Sequence, residues 1–144
     1  MSLISVLLVD DNPDFLKSAA RFLPADPQIV IAGSALSGRE ALEQIRSLHP
    51  DLVLMDLAMP GMNGLEATRL IKAQPDAPCV IILTLHDNAE YRAAAKIVRA
   101  DGFVPKSEFG TQLEPLIRTL FNERKVRDEA GPNSPWRGKG VSAN

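Results

Sequence analysis

Three carboxylates end two apolar runs, and their spacing sets the chemistry open to this chain. Asp10 and Asp11 follow Val6-Leu7-Leu8-Val9, and Asp56 follows Leu52-Val53-Leu54-Met55. Each run is short, continuously apolar and bounded by polar residues, which predicts a parallel strand covered on both faces. In an open α/β sheet, ligands bind just beyond the carboxyl ends of such strands. If the two strands are neighbours, three acids converge on one crevice. Two carboxylates about 5 Å apart, at an effective dielectric near ~20, oppose one another by about 3 kcal/mol. A proton or a divalent cation relieves that repulsion. Oxygen-only ligands in a shallow crevice suit Mg²⁺, which keeps several waters and takes only one or two direct carboxylates.

Two further residues fall on the same sheet edge. Thr84 ends the run Cys79-Val80-Ile81-Ile82-Leu83, and Lys106 follows Phe103-Val104-Pro105. A hydroxyl and an ammonium beside three acids suggest a phosphoryl-transfer site. Asp56 is then the nucleophile, since carboxylates form aspartyl phosphates. Asp10 and Asp11 hold Mg²⁺, directly or through water. Lys106 and the metal neutralise the transferring oxygens, and Thr84 hydrogen-bonds one of them.

The intervening sequence supplies the elements that must place these groups. Asn12-Pro13 opens a helix whose apolar face is Phe15, Leu16, Ala19, Phe22 and Leu23, before Pro24 and Pro27 stop it. A second strand is expected over residues 28–32. Ser37-Gly38-Arg39-Glu40 has the form of a capping box, leading a helix with Ala41, Leu42, Ile45 and Leu48 inward and His49-Pro50 at its end. A turn-rich loop, Met59-Pro60-Gly61-Met62-Asn63-Gly64, precedes a helix over residues 65–73. Asp87 and Glu90 are spaced to cap a fourth helix, and Leu113 to Phe121 anchors a last one. This alternation predicts right-handed crossovers and an α/β, doubly wound, five-stranded parallel sheet. The domain is expected over residues 1–125. From 126 to 144 the pattern dissolves into a flexible tail, in which Trp136 is the one large apolar residue.

Composition bounds the rest. The chain has 144 residues, 45% apolar and 24% charged, with a net charge of −2, which suits one globular domain without a broad nucleic-acid footprint. Cys79 is the single cysteine, so no disulfide forms within the chain. Neither a signal peptide nor a membrane span is evident, and a cytoplasmic location is expected. No Gly-x-Gly-x-x-Gly or Walker loop occurs. Asn12 falls where a haloacid-dehalogenase-type phosphatase would carry its second aspartate. The acids of Asp10-Asp11-Asn12-Pro13-Asp14 would repel the phosphate of a flavin.

Taken together, Val9-Asp10-Asp11, Met55-Asp56-Leu57-Ala58-Met59-Pro60-Gly61, Leu83-Thr84 and Val104-Pro105-Lys106 resemble the receiver domain of two-component response regulators over about residues 4–124. The resemblance implies a flavodoxin-like sheet of order 2-1-3-4-5. It implies phosphoryl transfer to Asp56 from a partner histidine kinase or phosphotransfer protein. Mg²⁺ would be bound by Asp11, Asp56 and the Ala58 carbonyl, with Asp10 supporting through water. Phe103 falls at the family's aromatic switch position, coupled to Thr84. The implied output is a change in contacts with a downstream effector protein, with homodimerisation on phosphorylation as a further expectation. No direct nucleic-acid or membrane contact by this chain is expected.

Leu83-Thr84-Leu85-His86-Asp87 and Gly102-Phe103-Val104-Pro105-Lys106 look most like receivers that precede a helix-turn-helix domain. The chain is therefore read as a stand-alone receiver or as one separated from its effector, with a non-phosphorylated scaffold as the alternative. Two positions depart from the usual pattern. Ser107 replaces the proline that often follows the lysine, so a trans Lys106–Ser107 bond is expected. Leu85 replaces a small residue and is expected to restrict access of water to the site, while Ala58 and His86 occupy positions that tune phosphoryl lifetime.

Overall fold

The computed structural model describes residues 3–130, with side chains described as far as residue 122. Five strands form one parallel sheet in the order β2-β1-β3-β4-β5. They are β1 (Ile4–Val9), β2 (Ile29–Ala35), β3 (Leu52–Asp56), β4 (Cys79–Thr84) and β5 (Gly102–Pro105). The helices are α1 (Pro13–Phe22), α2 (Gly38–Leu48), α3 (Gly64–Lys72), α4 (Ala89–Ile97) and α5 (Phe109–Ala130). Single 3₁₀ turns at Leu23–Ala25 and Lys106–Glu108 follow α1 and lead into α5.

Alternation along the strands divides the core in two, because successive side chains point to opposite faces. Val6 and Leu8 of β1, with Leu52 and Leu54 of β3, pack against Leu16 and Ala19 of α1 and Leu113 and Ile117 of α5. Leu7 and Val9, with Val53 and Met55, face Ala41 of α2, Ala67 and Ile71 of α3 and Ala95 of α4. Burial on both faces explains why these strands read as unbroken apolar runs.

Helix starts are fixed by short polar side chains. Asn12, Ser37, Asn63 and Asn88 each accept a hydrogen bond from a backbone N–H in the first turn that follows, which satisfies a donor the helix itself leaves open. The fourth of these corrects an expectation: Asn88 caps α4, whereas Asp87 is drawn into an ion pair with Arg92. At α2 only one half of the expected box is formed. Ser37 accepts from Glu40 N, while the Glu40 carboxylate receives Gln44 Nε2. His49 ends α2 in the left-handed region at φ 48°, immediately before Pro50.

Three boundaries also move. β2 continues to Ala35, past the expected end at residue 32, because a register shift opposite Val6 and Leu7 lets it stay paired with β1. β5 gains Gly102 and Pro105. The last helix begins at Phe109 and runs to Ala130, longer at both ends than its expected anchor of Leu113 to Phe121. The expected tail from 131 onward, with Trp136, lies outside the described residues.

The loop from Asp56 to α3 depends on one close approach. Gly64 N donates to the Leu57 carbonyl at 2.9 Å, and a Cβ on Gly64 would overlap the Asp56 carbonyl oxygen. The Asp56 carbonyl carbon and Leu57 Cα also lie within 3.0 Å of that position, and all of these atoms are backbone, so none can rotate away. A Gly64→Ala substitution is expected to lower unfolding free energy by about 2–4 kcal/mol in urea titrations, as backbone overlap does in packed sites. A loss under 0.5 kcal/mol would mean the loop has room that this geometry denies it.

Candidate functional site

At the carboxyl edge, strand register sets which side chains meet. Asp10 directly follows β1, while Asp56 ends β3, beside it in the sheet. Asp56 is level with Leu83, and Thr84 is level with Pro105, so Lys106 emerges one step beyond Thr84. Carboxylate oxygens of Asp10, Asp11 and Asp56 all lie within 4.8 Å of one another. Asp10 and Asp56 are buried, at 1% and 6% exposure, and Asp11 is exposed at the rim.

Lys106 ties the cluster together. Its Nζ donates to Asp10 Oδ2 at 2.6 Å and lies 3.2 Å from Asp56 Oδ1. The other oxygen of Asp10 accepts from Asn12 N at 2.9 Å. Asp10 is therefore held from two sides, and Asp56 keeps its second oxygen for chemistry or for a cation. Burial, with the negative charge of Asp10 next in weight, pushes the Asp56 carboxyl up to about 6 against the opposing pull of Lys106.

A donor set of carboxylate oxygens, two buried and one exposed at the rim, fits a hard divalent cation such as Mg²⁺ better than a transition metal. The three acids are the one such grouping of possible metal ligands found among the described residues. Ala58, the expected carbonyl ligand, is exposed between buried Leu57 and Met59, two residues after Asp56.

The expected switch residues lie to one side. Thr84 is buried, and its Oγ1 accepts from His86 N at 3.0 Å. Phe103 is half-buried beneath the Arg92 guanidinium, whose carbon lies 4.7 Å from the ring centroid. Arg92 is itself oriented by two hydrogen bonds to Asp87, of 2.6 and 3.1 Å, and the pairing holds the Asp87 carboxyl below its usual range. Leu85, expected to restrict access of water to the site, is 75% exposed. The Lys106–Ser107 bond is trans. Two participants escaped the sequence reading. Phe15, read there only as part of the α1 stripe, has its ring centroid 4.4 Å from Lys106 Nζ, and Arg92 covers Phe103. Neither contact leaves a local signature, since each joins different elements.

Fold and site define a flavodoxin-like α/β domain with an acidic, lysine-bridged crevice at the carboxyl edge of its sheet. The family model described as response regulator receiver domain matches residues 6–118, and the chain belongs to that family. It is 41% identical over 135 residues to a protein-glutamate methylesterase/protein-glutamine glutaminase of Methanosarcina mazei, covering 92% of this chain and 37% of that protein. Among solved structures, a LuxR-family two-component response regulator from Aurantimonas superposes with TM-score 0.78 at 32% identity, covering 83% of this chain and 85% of that one. The response regulator domain of Thermotoga maritima CheB gives TM-score 0.69 at 28% identity, covering 85% and 95%. The chain spans about a third of the length of the curated methylesterase relatives it matches. Among the described residues no helix is long and apolar enough to cross a membrane.

The raised Asp56 carboxyl has a consequence for stability. A carboxyl near 6 in the folded chain and 3.8 unfolded binds its proton more tightly when folded, so its contribution to stability falls as pH rises from 3.8 to 6. In metal-free buffer, Asp56→Asn is expected to be more stable than wild type at pH 8 by about 1–3 kcal/mol, the gain fading as pH approaches 4. A pH-independent difference between the two proteins would contradict the shift.

Proposed function

We propose that this domain is a phosphoacceptor switch: Asp56 receives a phosphoryl group from a phosphohistidine on a histidine kinase or phosphotransfer protein. The observation that carries this reading is the Lys106 ammonium set between Asp10 and Asp56, at 2.6 and 3.2 Å. It neutralises part of the acid cluster at rest and is within reach of a phosphoryl group attached to Asp56. In the transfer, a carboxylate oxygen of Asp56 forms the O–P bond as the N–P bond breaks. The electron pair of that bond stays on the imidazole nitrogen of the donor. Asp11, Asp56 and the Ala58 carbonyl would hold Mg²⁺, with Asp10 behind them, and the bound ion would supply positive charge to the phosphoryl oxygens.

The phosphate adds about −1.5 to −2 charge and three acceptor oxygens. Thr84 Oγ1 accepts from His86 N and keeps its own O–H to donate to one of them, so drawing Thr84 inward carries the loop between β4 and α4 with it and frees space beside Phe103. The change is thus delivered to the face made by α4, β5 and α5, where an effector protein, an effector domain or a second copy of the chain would read it. A scaffold that is never phosphorylated would have no use for a buried acid pair bridged by a lysine, so the phosphoacceptor reading is favoured.

Incubation with Mg²⁺ and a phosphorylated histidine kinase should yield one acid-labile phosphate per chain, mapping to Asp56 and absent in Asp56→Asn. Uptake by that variant at the wild-type rate would sink the assignment. Hydrogen exchange with beryllofluoride as phosphoryl mimic is expected to change over residues 84–103. Changes confined to α1 and β2 would place the output elsewhere.

A further inference from the structure

We propose that Phe15 is a positioning residue for this chemistry, its ring face holding the Lys106 ammonium in place between Asp10 and Asp56. The proposal rests on the phosphoacceptor reading above and deepens it.

A lysine ammonium is a point charge with three donors on a flexible four-carbon stem. Two carboxylates account for two of its directions, Asp10 Oδ2 at 2.6 Å and Asp56 Oδ1 at 3.2 Å. The Phe15 ring lies on a further side, with its centroid 4.4 Å from Nζ, inside the range where a cation is attracted to the negative face of an aromatic ring. The Lys106 side chain is only 11% exposed, so little water competes for it, and the attraction is worth more than at an open surface.

Phe15 is in turn fixed from both ends. Asn12 Oδ1 accepts from Asp14 N at 2.9 Å and Phe15 N at 3.4 Å, which sets the first turn of α1 directly below Asp10 and Asp11. On the other side, the Phe109 ring meets Phe15 edge-on, with centroids 5.5 Å apart and planes at 68°. Phe109 closes the 3₁₀ turn that begins at Lys106, donating its N–H to the Lys106 carbonyl. The backbone and the side chain of Lys106 are thus tied to the same pair of rings.

A ring suits this place better than another polar partner. A third carboxylate would add to the repulsion, and a hydroxyl would give the ammonium a directional bond to break. The π face attracts without fixing a hydrogen-bond direction. Lys106 can turn from Asp10 toward a phosphoryl oxygen while remaining over Phe15. Packing alone does not call for an aromatic residue here, because a leucine would fill much of the same half-buried space.

The test is the rate of Asp56 phosphorylation by acetyl phosphate at saturating Mg²⁺, in the whole chain. Phe15→Leu is expected to slow it by about three- to thirty-fold, the span of a partly to well desolvated cation–π contact. Phe15→Tyr and Phe15→Trp should stay within about two-fold of wild type, since both keep a π face. In a Lys106→Met background, Phe15→Leu should add nothing, which a purely structural role would not produce. A wild-type rate in Phe15→Leu, or a loss of equal size with and without Lys106, would overturn the proposal. Should wild type take no phosphate at Asp56, the phosphoacceptor reading fails by itself. Proton NMR of Lys106 then decides the placement: its Hε signals should be shifted upfield by the ring, unshifted in Phe15→Leu and restored in Phe15→Tyr. Unshifted Hε signals in wild type would overturn it.

Discussion

The crowding of three carboxylates, two of them held by a single ammonium, is the constraint on which the rest of the structure depends. Two of the acids are buried, and like charges at such range oppose each other by a few kcal/mol. Lys106 offsets part of this, but it comes from the far end of the chain, at a sequence separation of 96 from Asp10. The sheet order is what closes that gap. β1 and β3 must be neighbours for the acids to meet, and β4 and β5 must follow in order for the lysine to reach over them. The site remains net negative after Lys106 is counted, and burial leaves the Asp56 carboxyl near 6. A crevice in that state is stabilised by any cation or proton that enters it, and is rearranged by any group that competes for its ammonium.

Two chains of contacts lead away from the site. Thr84 is bonded back to His86 N, and Asp87 in the same loop orients Arg92 over Phe103. On the other side of the sheet, Phe15 and Phe109 carry the contact from Lys106 into the junction of α1 and α5. Both routes are chains of direct contacts between side chains, and each joins elements far apart in sequence.

Much of this is legible in the sequence alone. Unbroken apolar runs ending in Asp10-Asp11, Asp56 and Thr84 specify buried parallel strands with polar ends, and that alone assigns the acids to one edge. Asn12-Pro13 and Ser37 announce helix starts through a mechanism that is local, so α1 and α2 were placed well. The fourth helix lies where it is expected but has a different cap, because Asp87 and Asn88 are both good caps and the choice between them depends on Arg92, one turn into α4. The length of β2 was underestimated because Gly33 and Ser34 are poor strand formers that pairing with β1 overrides. Phe15 and Arg92 were hidden for a similar reason: an aromatic in an amphipathic stripe and an arginine on a helix have no special spacing, and their roles exist only once other elements pack against them.

The central claim is electrostatic, and Mg²⁺ affinity tests it most directly. If Lys106 is the cation that partly neutralises the cluster at rest, removing it leaves more unrelieved negative charge for a metal to bind. Mg²⁺ titrations followed by amide shifts at Asp11 and Ala58 should then give tighter binding in Lys106→Met than in wild type, by about three-fold or more, and the difference should shrink as salt is raised. Equal or weaker affinity in Lys106→Met would show that Lys106 does not relieve the acids, and would contradict the account.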